Sequence, residues 1–180
     1  MADITDLIPA EHARICRLFS ALDDAARLAV APGNAGGSRQ WTLETVWARL
    51  AGLLDQHAET EYEICYFAVF GSDTKGAAAL DDAVACLNDI HHAIAETRLL
   101  PSGSREWWRA VNAARQASER HITQLESGAL ADFRRCASQR LRNDLGRQWM
   151  AFVAALQHDL AADHHPVPQM PSLRLWQRLW

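Results

Sequence analysis

The stretch VWARLAGLLDQHAETEYEI, residues 46–64, decides how the rest of the chain is read. Apolar side chains return at Val46, Leu50, Leu53 and Ile64 with the spacing of one helix face, and His57 stands on that face. Glu61 follows His57 by four residues, so the imidazole and the carboxylate project from the same side of the helix. Polar groups on a face turned to the core must find partners away from water. The stretch therefore predicts both a packed helix and a site.

Outward from it, long periodic segments alternate with short Gly/Pro/Ser clusters. Asp3 to Val30 carries the stripe Ile4, Ile8, Ile15, Phe19, Leu22 and Ala26. Ala31 to Ser38 reads as a flexible connection, and the second helix is expected from about Trp41 or Thr42 to Gly71. A turn over Ser72 to Gly76 precedes a third helix with Leu80, Val84, Leu87, His91 and Ile94. Leu100-Pro101-Ser102-Gly103-Ser104 breaks it, and Ser102 or Ser104 supplies a cap for the next helix. That fourth helix shows Trp107, Val111, Ala114, Ser118, His121 and Leu125, with Gly128 as a kink or end. A fifth, about Ala137 to Ala162, carries Leu141, Leu145, Trp149, Phe152, Val153 and Leu156. His164-His165-Pro166 stops it, and a tail ending in Leu-Arg-Leu-Trp-Gln-Arg-Leu-Trp comes after.

No strand-like alternation persists, and short connections favour antiparallel neighbours. The expectation is an all-α protein: an up-down-up-down four-helix bundle over residues 1–136, with residues 137–180 as an additional C-terminal helix and tail on the same domain. The tail is expected to pack on its own bundle or on a twin subunit, which leaves a homodimer as an alternative.

The chain has 180 residues, enough for one domain with a proper core, and a net charge of -4 without a basic patch, which argues against nucleic acid. The N-terminus carries acids before any apolar run, and no stretch reaches the roughly 18 apolar residues of a membrane span. Cys16, Cys65, Cys86 and Cys136 form no CxxC pair and read as reduced, buried small side chains, so a cytoplasmic location is the default.

Four of the 8 histidines fall on core-facing stripes, one in each of the first four helices: His12, His57, His91 and His121. One such histidine is usually a satisfied core residue. Four converging from four helices are harder to satisfy separately, and a shared metal answers all of them. Glu61 lies on the His57 face, whereas Glu126, five residues after His121, is turned about 140° away on an ideal helix and needs local distortion near Gly128. Imidazole with carboxylate and no thiolate suits iron or manganese better than a structural zinc site.

Glu11-His12, then His57-Ala58-Glu59-Thr60-Glu61, then His91-His92, then His121-Ile122-Thr123-Gln124-Leu125-Glu126 resembles the hemerythrin-like (HHE cation-binding) family over about residues 3–136. Each motif alone is weak; their order and spacing carry the resemblance. It implies two carboxylate-bridged iron ions, with His12 and His57 on one, His121 and a third-helix histidine on the other, and Glu61 and Glu126 bridging. The third helix departs from the oxygen carriers' HxxxH, because Ala95 stands four residues after His91. His91 is preferred there, with His92 and Glu96 as the alternative. A second iron short of nitrogen favours turnover of O2 or peroxide, with or without a small-molecule substrate, over reversible carriage. The expectation is thus a diiron oxidoreductase, with a non-enzymatic O2, nitric oxide or iron binding protein as the alternative.

Overall fold

The computed structural model describes residues 2–30, 36–69 and 74–162. The tail from residue 163 onward, with His164 and His165, lies outside the described residues, as does the side chain of His158. Among the described residues there are seven helical segments and no strand: α1 (Ile4–Val30), α2 (Gly36–Ile64), α3 (Tyr66–Val69), α4 (Thr74–Thr97), α5 (Arg105–Ser127), α6 (Ala129–Cys136) and α7 (Gln139–Ala162). The chain is all-α.

Two helix starts and one end differ from expectation. α2 begins at Gly36 rather than near Trp41, and α4 at Thr74 rather than after Gly76. Glycine costs helix stability, yet the first turn contains few intrahelical bonds to weaken, so these residues are tolerated there. At the other end α2 stops at Ile64, and the short α3 intervenes before Gly71 is reached.

α1 starts because Asp3 caps it: its Oδ1 accepts from the Thr5 N–H at 2.9 Å and from the Thr5 hydroxyl at 2.8 Å. α5 starts at Ser104, one of the two serines expected, whose side chain accepts from the Trp107 N–H at 3.1 Å. Such caps contribute about 1 kcal/mol each. Gly103, just before it, has φ 80°, a conformation that favours glycine.

α1 packs along α2, and α4 along α5; α7 lies against both α1 and α2. One continuous core runs through these contacts, from Ile4, Ile8 and Leu22 on α1 through Leu50 on α2, Leu87 on α4 and Val111 on α5 to Trp149 on α7. One part of it is pinned by Trp47, whose indole N–H donates to Thr97 Oγ1 at 2.9 Å while its ring meets Trp107 edge-on. On α7, Leu141 is exposed and Asn143 buried, because Gln139 and Arg142 in the first turns turn toward Asp3. Gly146 lies so close to the N-terminal end of the chain that an added Cβ would stand 2.0 Å from the Ala2 carbonyl oxygen.

None of the four cysteines is paired. Cys65 and Cys86 are buried as expected, whereas Cys16 and Cys136 are exposed; Cys16 sits one residue past the stripe at Ile15. No helix among the described residues is long and apolar enough to cross a membrane.

Candidate metal centre

The α1 stripe Ile4, Ile8, Ile15, Phe19 is interrupted at its centre by His12, which the packing therefore drives inward. His57 and Glu61 enter from α2 one turn apart, and His121 enters from α5 between Ser118 and Leu125. These four residues are 1%, 3%, 0% and 2% exposed in the order His12, His57, Glu61, His121.

Their polar atoms face one another. His12 Nε2 is 3.0 Å from His57 Nε2. Glu61 Oε1 lies 3.3 Å from His57 Nε2 and 3.6 Å from His12 Nε2, and Oε2 lies 2.8 Å from His121 Nε2. One ligand atom from each residue fits within 4.8 Å of all the others. Four atoms at about 2.0–2.1 Å from a tetrahedral centre stand about 3.3 Å apart, so the cluster is close to the dimensions of a metal shell.

The donor chemistry fits a cation. Two ring nitrogens at 3.0 Å have room for at most one hydrogen between them, so at least one of the two presents a lone pair. Glu61 Oε1 makes no hydrogen bond, and the buried His121 Nδ1 has none either. A buried carboxylate facing three imidazoles is costly unless protons or a metal ion neutralise it. Burial works against charge on His57, yet Glu61 and Glu11 override it and raise its pKa to about 9. Burial likewise opposes charge on Glu61, but His121, His57 and His12 hold its carboxyl well below the usual range. Burial and the same carboxylate push the Cys65 thiol and the Tyr66 phenol up.

Two further carboxylates approach the rings through their other nitrogens. Glu126 Oε1 is 2.7 Å from His12 Nδ1, and Glu11 Oε2 is 3.4 Å from His57 Nδ1. Trp149, from α7, meets the His57 ring edge-on with centroids 5.7 Å apart. A groove of about 380 Å³ between α1 and α7 is lined by Leu7, Glu11, Arg14, Trp149 and Met150 among others, so it reaches the two residues that back His57.

Of the six residues singled out in the sequence, the structure brings His12, His57, Glu61 and His121 into one group and sets Glu126 against the back of His12. His91 is not brought there. Its Nε2 lies 3.2 Å from Asp55 Oδ1, and Arg98 approaches the other oxygen of Asp55 at 3.5 Å. His92 and Glu96 are exposed. The reason is rotational: α4 buries Ala83, Cys86, Leu87, Ile90, Ala93, Ile94 and Thr97, a stripe centred about 80° from the one expected on Leu80, Val84, Leu87, His91 and Ile94. Glu11, Asp55 and Trp149 were not foreseen as partners. Glu11 had a signal in its adjacency to His12, and Trp149 had one in its place on the fifth apolar stripe; Asp55 had neither.

Comparison of the chain with protein-family models, with curated proteins and with solved structures finds no match.

Proposed function

We propose that this chain is a non-haem iron protein of hemerythrin-like type, a four-helix up-down-up-down bundle of α1, α2, α4 and α5 with α7 added, which binds O2 or peroxide and turns it over as an oxidoreductase. The observation that carries the reading is the convergence of three histidine Nε2 atoms and Glu61 in a buried cluster. The ordered motif supplies the family resemblance. A cytoplasmic location belongs to the same reading.

His12, His57, His121 and Glu61 would hold the metal. Iron there supplies a redox-active Lewis acid for O2 or peroxide. The protein's part is to aim the rings, keep bulk water from a cluster of side chains at most 3% exposed, and set the charge around it. Glu61 turns Oε1 toward His12 and His57 and Oε2 toward His121, so it would be the carboxylate held in common if two irons bind. With His91 engaged by Asp55, the cluster offers three imidazoles where saturated carriers use more. That shortage supports turnover over reversible carriage.

A second reading, non-enzymatic binding of O2, nitric oxide or iron for sensing or storage, is favoured by the burial itself, which admits a diatomic molecule more readily than a bulky substrate. Mixing the iron-loaded, reduced protein with O2 separates the two. Sustained O2 or peroxide consumption with a reductant supports the oxidoreductase; a long-lived, reversible oxygenated species supports carriage and defeats turnover.

A further inference from the structure

We infer that Glu126 is a positioning residue, which aims His12 at the centre through Nδ1 instead of binding the ion itself; this rests on the metal reading of the cluster. An ionised carboxylate oxygen only accepts hydrogen bonds, so at 2.7 Å from Glu126 Oε1 the His12 Nδ1 carries the proton and donates it. The tautomer is thereby set. In the neutral ring the lone pair is then left on Nε2, the atom that stands 3.0 Å from His57 Nε2 and 3.6 Å from Glu61 Oε1.

Helix geometry explains the division of labour. Glu126 lies five residues beyond His121, which turns it about 140° away from His121 around α5. His121 reaches Glu61 from the buried face, and Glu126, its side chain 39% exposed, reaches His12 from the rim. The resemblance would make Glu126 a metal ligand; its oxygen instead meets His12 Nδ1, and Glu61 is the carboxylate that faces the Nε2 atoms of the three rings. Glu11 repeats the arrangement on His57 at the longer distance of 3.4 Å, and His121 Nδ1 has no hydrogen-bond partner. The three rings are therefore unequally held, and His12 is the best oriented of them.

The test uses the full chain with Zn2+ alone as a diamagnetic probe, and the variants Glu126→Ala, Glu126→Gln and Glu61→Gln. Affinity comes from competition with a chelator, stoichiometry from metal analysis, and the His12 tautomer from two-bond proton–nitrogen spectra with and without zinc. Loss of a residue that orients a metal-bound histidine weakens affinity about 10–100-fold. Glu126→Ala should show that loss with the number of ions per chain unchanged, and His12 should lose its fixed Nδ1–H form. Glu126→Gln, whose amide oxygen still accepts from Nδ1–H, should stay within a few-fold of the parent. Glu61→Gln should lose bound ions. A drop in ions per chain in either Glu126 variant overturns the inference, as does Glu126→Ala with affinity and tautomer unchanged. A parent chain that takes up no Zn2+ defeats the metal reading itself. The zinc-free spectra then still decide Glu126: a fixed Nδ1–H lost in Glu126→Ala supports the positioning contact, and an unaltered tautomer removes it.

Discussion

Helix α2 carries two histidine–carboxylate groups that differ in how their charge is met. On one side Asp55, 5% exposed in its side chain, lies between His91 and Arg98, whose side chains are 21% and 52% exposed. On the other, Glu61 is 0% exposed and its ionic partners among the described residues are all histidines, His12, His57 and His121. Arginine keeps its charge at any ordinary pH, so the Asp55 group is neutralised by the protein alone. The Glu61 group depends on protons or on a bound cation. Two histidine–carboxylate clusters thus separate, by the presence or absence of an arginine, into a structural ion pair at the edge of the core and a candidate metal centre inside it.

The largest expected effect sets the two apart by metal addition. Free metal at about 100 times its dissociation constant stabilises a folded chain by about 2.7 kcal/mol. Titrating Fe2+ anaerobically, or Zn2+, should raise the melting temperature of the parent and of Asp55→Asn alike, and leave Glu61→Gln unmoved. Equal responses in Glu61→Gln and the parent would erase the distinction.

The next prediction concerns α7, which reaches only one of the clusters. Gly146→Ala places a Cβ against the Ala2 carbonyl oxygen, and backbone on both sides leaves little room to yield. Overpacking of this kind costs about 1–3 kcal/mol. Denaturant unfolding should show that loss, and the displaced Trp149 should weaken metal binding at His57 while the His91 ring resonances of the Asp55 group stay in place.

Asp55→Ala should cost somewhat less, about 1–2 kcal/mol, since the pair is only partly buried. Urea unfolding measures it, and metal content should be unchanged. A fall in metal content would tie Asp55 to the centre.

The smallest effect belongs to Asp3, a carboxylate outside both groups. Burial raises its pKa, but hydrogen bonds from Thr5 and Gln139 and the charge of Arg142 outweigh that and leave it lowered from 3.8. A depressed folded-state pKa means the native state binds fewer protons, so this stabilisation is complete above about 3.8 and fades as pH falls through the lower folded value. The stability gap between the parent and Asp3→Asn should therefore be widest near neutral pH and narrow toward pH 3 in melting curves.

The stripe on α1, the Ser104 cap and the inward placement of His12, His57, Glu61 and His121 were legible because each rests on local periodicity or on one side chain beside its own helix. His91 was misplaced because α4 has small or apolar residues nearly all round, Val84, Ala85, Ile90, Ala93 and Ala95 among them, so the centre of its buried face is poorly defined by sequence. The partners of the rings were hidden for another reason. Glu126 meets His12 across 114 residues and Glu11 meets His57 across 46, and such pairings arise from packing rather than from spacing. The same holds for Trp149, whose helix falls outside the stretch that carries the family resemblance.

The most direct measurement is the iron retained per chain after anaerobic loading and desalting, compared between the parent and His121→Ala. The parent should hold one to two irons, two if Glu61 is shared, and the variant should show a clear loss. A parent chain that elutes without iron, or a variant that keeps as much as the parent, would contradict the claim that these side chains form a metal centre.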